Sequence, residues 1–147
     1  MTSAMDLPRG FKGAGISAGI KSSGAKDLAL IVNEGPQIFG TAVFTSNQVV
    51  AAPVIWSREV IKDHSVAAVL LNSGGANACT GPEGFADTHQ SAEAVAGTLG
   101  ISASDTAICS TGLIGVRLPM DALLSGVGSA SQKLSGNSLL DLAEAIM

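Results

Sequence analysis

Apolar residues along this chain come in short runs broken by Gly-, Ser- and Asn-rich stretches. The run DLALIVN, 27–33, is short, rich in β-branched and aliphatic residues, and reads as a strand. EGPQIFG then supplies turn residues, and GTAVFTS, 40–46, reads as the antiparallel hairpin partner of that strand. PVIW, 53–56, predicts a third short strand, with a short amphipathic helix over SREVIKDH behind it. VAAVLLN, 66–72, is a continuous apolar run of the kind buried on both faces of a sheet. NSGGANACTGPEG, 72–84, has no periodicity and reads as loop. Phe85, His89, Ala92, Val95, Ala96 and Leu99 recur at helical spacing, and Gly100 stands where a helix-terminating glycine belongs. DTAICS predicts another strand, Pro119 opens a helix running toward Leu134, and SLLDLAEAIM predicts a last helix. The small-residue-rich segment up to Gly24 carries no clear period.

Strands and helices therefore interleave, with one antiparallel hairpin early, and the expected class is α/β with a mixed sheet. The 147 residues suffice for one core. They show no repeat, linker or low-complexity tract, so residues 1–147 are read as a single domain or part of one. The final helix stops at Met147 without a Gly or Pro terminator, which reads as a cut end. Composition narrows the function classes. With 46% hydrophobic and 14% charged residues the chain is not of the disordered type. A net charge of −4, no basic run and 3% aromatics leave no footprint for nucleic acid. No apolar stretch approaches the ~20 residues of a membrane span, and MTSAMDLPRG is not a signal peptide. Two cysteines, Cys79 and Cys109, make no disulfide framework, so a cytoplasmic location is expected.

Four stretches carry candidate chemistry. GAGISA, 13–18, spells a dinucleotide fingerprint, but that motif works only when a strand delivers the phosphate to a helix start, and too little chain precedes it. SGGANACTG, 73–81, lacks the Gly-Lys-Ser/Thr ending of a phosphate loop and reads as a tight turn. His64 looks exposed and His89 lies on the apolar face of its helix; neither has a partner at the spacing of a nucleophile–base pair or a metal site. No cofactor is expected. Ser110–Thr111–Gly112 follows a strand end, where a bare glycine N–H and a threonine hydroxyl can face a reacting carbonyl. A simple strand-to-loop turn explains the same residues.

Taken together, GFKGAGISAGIKSSGAKDLALI, VFTSNQVVAAPV, LNSGGANACTGPEGF, CSTGLIGVRLPM and EAIM resemble, in collinear order from Gly10 to Met147, the N-terminal part of the ornithine acetyltransferase family of arginine biosynthesis. The resemblance implies a precursor that cleaves itself before a threonine, which becomes the nucleophile at the start of the β chain. That threonine takes the acetyl group from N-acetylornithine and passes it to glutamate. It implies mixed sheets stacked and flanked by helices, and an assembly of two α with two β chains. It places the family's oxyanion pair on Thr111 and Gly112. The second glycine of Ser73-Gly74-Gly75 departs from relatives that carry Asn there. The family's Met-Ala-Thr-Met-Leu cleavage sequence, its Lys-Gly loop and its Thr-Thr-Asp stretch are not in these residues. The nucleophile and most substrate contacts are thus expected elsewhere, and this chain by itself is expected to be inactive. Acetyl-CoA use, found in some members, leaves no mark here. Two other readings stand beside this one: a subunit of a self-cleaved aminopeptidase-like hydrolase, and a non-catalytic piece that only binds its β partner.

Overall fold

The computed structural model describes residues 6–136 and 138–147. Four strands form one mixed sheet in the order β1 (Phe11–Ile16), β2 (Leu28–Asn33), β3 (Ala68–Asn72), β4 (Thr106–Ser110). β1–β2 and β2–β3 are antiparallel and β3–β4 is parallel. The α-helices are α1 (Ala52–Val60), α2 (Gly81–Leu99), α3 (Met120–Ser131) and α4 (Leu139–Ala145), with short 3-10 turns at Ile61–Asp63 and Ala103–Asp105. The α/β class with a mixed sheet and flanking helices is as expected, and α2 is a helix as predicted, ended by Gly100 at φ +69°.

Three elements differ from the expectation. The early hairpin partner of β2 is β1, with Gly13 opposite Ile31, so GAGISA lies largely within a strand. Residues 40–46 form no strand, and Val43 at 98% exposure has nothing to pack against. PVIW lies inside α1, where Pro53 occupies the first turn that tolerates a missing N–H. A four-residue apolar run has no intrinsic preference between strand and helix, and here the polar residues that follow continue the helix. α2 also starts earlier than predicted, at Gly81, with Pro82 in its first turn.

Strand alternation divides the core into two. Ala14, Ile16, Leu28, Leu30, Leu70 and Ile108 point to one face and pack with Ala92 and Val95 of α2 and Leu123, Val127 and Ala130 of α3. Ala29 points to the other face, with Ile31 and Leu71 beside it, and meets Leu142 and Ala145 of α4. α4 approaches that closely only because Gly15 lacks a side chain: a Cβ there would collide with the Asp141 carbonyl. Lys26 bridges Asp141 (2.5 Å) and Glu144 (2.6 Å) from the preceding loop, and these partners raise its pKa. Both sheet edges are occupied, which suppresses edge-to-edge pairing. Ser135 pairs with Gly13 through two 2.9 Å bonds on the β1 edge. On the β4 edge α1 lends side chains, as Trp56 Nε1 donates to the Thr106 carbonyl (2.9 Å) and Ser57 Oγ to that of Ile108 (2.7 Å).

Candidate active site

Because β3 and β4 run parallel, both leave the sheet at the same end, and each continues into an irregular segment there. The segments stay paired. The Thr111 N–H donates to the Asn72 carbonyl (3.0 Å), the Ala76 N–H to that of Leu113 (2.8 Å) and the Gly115 N–H to that of Ala78 (2.8 Å). The ligand-side geometry follows from this pairing. Thr111 spends its N–H on the ladder, while its hydroxyl and the Gly112 N–H have no hydrogen-bond partner among the described residues. Both residues are exposed. Two adjacent free donors at a strand end can together hold an oxygen that gains negative charge.

Gly112 is required here on two counts. Its φ of +126° is one that side chains rarely adopt, and a Cβ would lie 2.5 Å from Gly74 C and 2.7 Å from Gly75 N. The loop of residues 73–80 is therefore the wall against which the donor pair is set. That loop owes its shape to left-handed residues, Gly74 (φ +99°), Asn77 (φ +48°) and Cys79 (φ +57°). It is fixed from beneath by buried polar groups. Asn77 Nδ2 donates to the Gly84 carbonyl (2.8 Å) and Thr88 Oγ1 (2.9 Å), and Asn77 Oδ1 accepts from Thr80 Oγ1 (2.7 Å). From the other side, the buried Asp27 carboxylate accepts N–H bonds from Ala18 (2.6 Å), Ile20 (2.7 Å) and Lys21 (2.8 Å). This holds Ile20 and Lys21 in contact range of Gly74.

Behind the donor pair lies an apolar cleft of about 370 Å³, between α1, residues 41–44 and the end of β4. Cys109 and Ser110 line it. The cleft walls desolvate the Cys109 thiol and push its pKa up, so it is a poor nucleophile in this setting. Ser110 Oγ is buried with no hydrogen-bond partner among the described residues.

The histidines stand apart from this site. His64 is exposed and stacks on Phe39 at 5.3 Å. His89, placed by its spacing on the apolar face of its helix, is exposed too: its ring lies tilted against Trp56 at 5.1 Å and pairs with Glu93 at 3.2 Å. The buried stripe of α2 is composed instead of small and polar residues, Gly84, Asp87, Thr88, Ser91, Ala92, Val95 and Ala96, which hydropathy underrates. Sequence reasoning also missed Asp27 and Asn77, buried polar groups that hold the loops beside the site. Asn77 bonds Thr80, Gly84 and Thr88, and Asp27 the backbone of Ala18, Ile20 and Lys21, arrangements of loop geometry that no hydropathy period marks. No group of three or more metal-ligating side chains occurs among the described residues, and no described helix is long and apolar enough to cross a membrane.

Comparison with known proteins agrees with this architecture. Residues 12–147 match the model of the ArgJ family. The chain is 62% identical over 127 residues to an "Arginine biosynthesis bifunctional protein ArgJ" of Streptomyces coelicolor, covering 86% of this chain and 33% of that protein. A Mycobacterium leprae protein of the same description is 54% identical over 147 residues, covering 95% and 36%. The chain thus spans about a third of the length of the curated relatives it matches. Among solved structures, ornithine acetyltransferase from Mycobacterium tuberculosis, complexed with ornithine, superposes with a TM-score of 0.94 at 52% identity, covering 99% of this chain and 80% of that one. The ArgJ protein of Bacillus halodurans gives 0.87 at 35% identity, covering 97% and 75%. A family match over nearly the whole chain, with the same fold in two solved relatives, establishes that this chain belongs to the ArgJ family.

Proposed function

We propose that this chain supplies the oxyanion hole of an acetyltransferase that moves the acetyl group from N-acetylornithine to glutamate. The observation that carries the reading is the pair of free donors, Thr111 hydroxyl and Gly112 N–H, set side by side by contact with Gly74 and Gly75. The substrate assignment is supported by the family and by the solved relative described as an ornithine acetyltransferase. A threonine at the start of the β chain of the same precursor is the nucleophile. Its own amine takes the hydroxyl proton as the oxygen attacks the acetyl carbonyl, a recognised way to activate a threonine. The carbonyl oxygen then becomes an oxyanion, and Thr111 and Gly112 donate to it. Collapse, with the amine passing that proton to the departing nitrogen, expels ornithine and leaves the acetyl ester. Glutamate's amine attacks that ester through a second oxyanion in the same place, and the threonine is released. Both half-reactions are acyl transfers and need no cofactor. Residues 1–147 act as one domain, or part of one, completed by the β chain in an assembly of two α with two β chains in the cytoplasm. A second sheet stacks on the one described here.

The test is to incubate the full-length protein with N-acetylornithine and glutamate and to follow N-acetylglutamate by mass spectrometry. Glutamate-dependent product is expected. Release of amino acids from peptide amides, with no N-acetylglutamate, would replace this reading with that of an aminopeptidase-like hydrolase.

A further inference from the structure

The loop that follows the donor pair, residues 113–117, has little of its own to hold it. Leu113 and Ile114 are each 67% exposed and Val116 57%, so its apolar side chains gain almost nothing from burial in this chain. Beyond the backbone bonds already described, it is held at its far end by one side chain. Arg117 forks onto Asp87 of α2, Nε to Oδ2 at 2.9 Å and Nη2 to Oδ1 at 2.6 Å. The Asp87 side chain is 4% exposed and that of Arg117 56%. The carboxylate is thus the fixed member and the guanidinium the tethered one, and the pair raises the arginine's pKa further above its ordinary value. The next residue, Leu118, is buried against Gly75.

Asp87 sits between two other anchors on the same stretch of α2. Gly84, three residues before Asp87, and Thr88, the residue after it, hold Asn77 and with it the 73–80 loop. Both walls of the donor site are therefore registered on one helix, the glycine loop through Asn77 and the donor loop through Arg117. A fork between planar groups fixes orientation as well as distance, which a single-point contact does not. With the guanidinium 56% exposed, solvent screens the pair and its contribution to net stability is small. Its use here is geometric.

We propose that Arg117, held by Asp87, is a positioning residue that sets Thr111 and Gly112 at the angle needed to receive the oxyanion. The proposal rests on reading that pair as the oxyanion donors. Misplacement of a reacting group by an ångström can cost up to about a hundredfold in rate. In the full-length protein, with chain composition matched by intact mass, R117A is expected to lower kcat by about tenfold or more within that bound, with KM changed by less than about twofold. Millimolar guanidinium, below unfolding concentrations, is expected to restore part of the lost kcat. The double variant T111V/R117A is expected to lose little more than T111V, because both act on one donor set. The variant D87L/R117L, which removes the charges without leaving one unpaired, is expected to keep its thermal midpoint and still lose kcat.

Wild-type kcat in D87L/R117L or R117A beside an impaired T111V would overturn the positioning role and leave the donor assignment standing. Additive losses in the double variant, a loss confined to KM, or no response to guanidinium would equally overturn it. Wild-type kcat in T111V and in Gly112→Ala would overturn the donor assignment and the positioning role with it.

Discussion

At the scale of single residues, the account turns on one glycine. Gly112 combines a φ of +126° with backbone contacts that leave no room for a methyl group. Gly112→Ala in the full-length protein is expected to reduce kcat by about 10²–10³, the usual loss when one oxyanion donor is removed, with KM changed far less. Thr111→Val keeps the shape and deletes the hydroxyl, and the same kind of loss is expected because the Thr111 N–H is already engaged with Asn72. Steady-state kinetics of both variants check this. The strand that leads into Thr111 and Gly112 was legible in the sequence, but what orients those residues was not. The φ of Gly112, the free state of its N–H and the Asp87–Arg117 fork are consequences of packing between segments distant in the chain.

At the scale of elements, the join between α4 and the sheet is the most sensitive. Gly15 admits the helix backbone, and Ser73 Oγ donates to the Ala145 carbonyl at 2.6 Å, so α4 also touches the start of the glycine loop. Gly15→Ala is expected to displace α4 and destabilise the fold by about 1–3 kcal/mol, as overpacking generally does. Urea unfolding measures the loss, and hydrogen exchange should show α4 amides opening first while β2 and β3 stay protected. Unchanged stability would mean that the helix seats differently. Elements with strong periods, α2 and the buried strands β2, β3 and β4, were readable from sequence. β1 was not, because half of its inward positions are glycines that carry no hydropathy signal, and those glycines exist for α4. The segment 40–46 misled for the opposite reason: it has the β-branched and aromatic residues of a strand, yet among the described residues no strand pairs with it.

At the scale of the whole molecule, exposed apolar surface among the described residues includes the 113–116 loop and the 41–44 segment with its cleft. A chain with such patches is expected to self-associate when expressed by itself and to become well behaved with its β chain, which light scattering with and without the β chain would check. The same incompleteness governs the chemistry. His64 lies against Phe39 and His89 against Trp56, so among the described residues neither histidine serves Ser110 or Thr111, and this chain alone is expected to transfer no acetyl group. The most direct test follows acetylation of the full-length protein by N-acetylornithine in the absence of glutamate, with peptide mapping of the adduct. The acetyl group is expected on a threonine outside residues 1–147, formed about a hundredfold or more slowly when Gly112 is replaced by alanine. An acetyl adduct within residues 1–147, or wild-type acetylation in Gly112→Ala, would contradict the account.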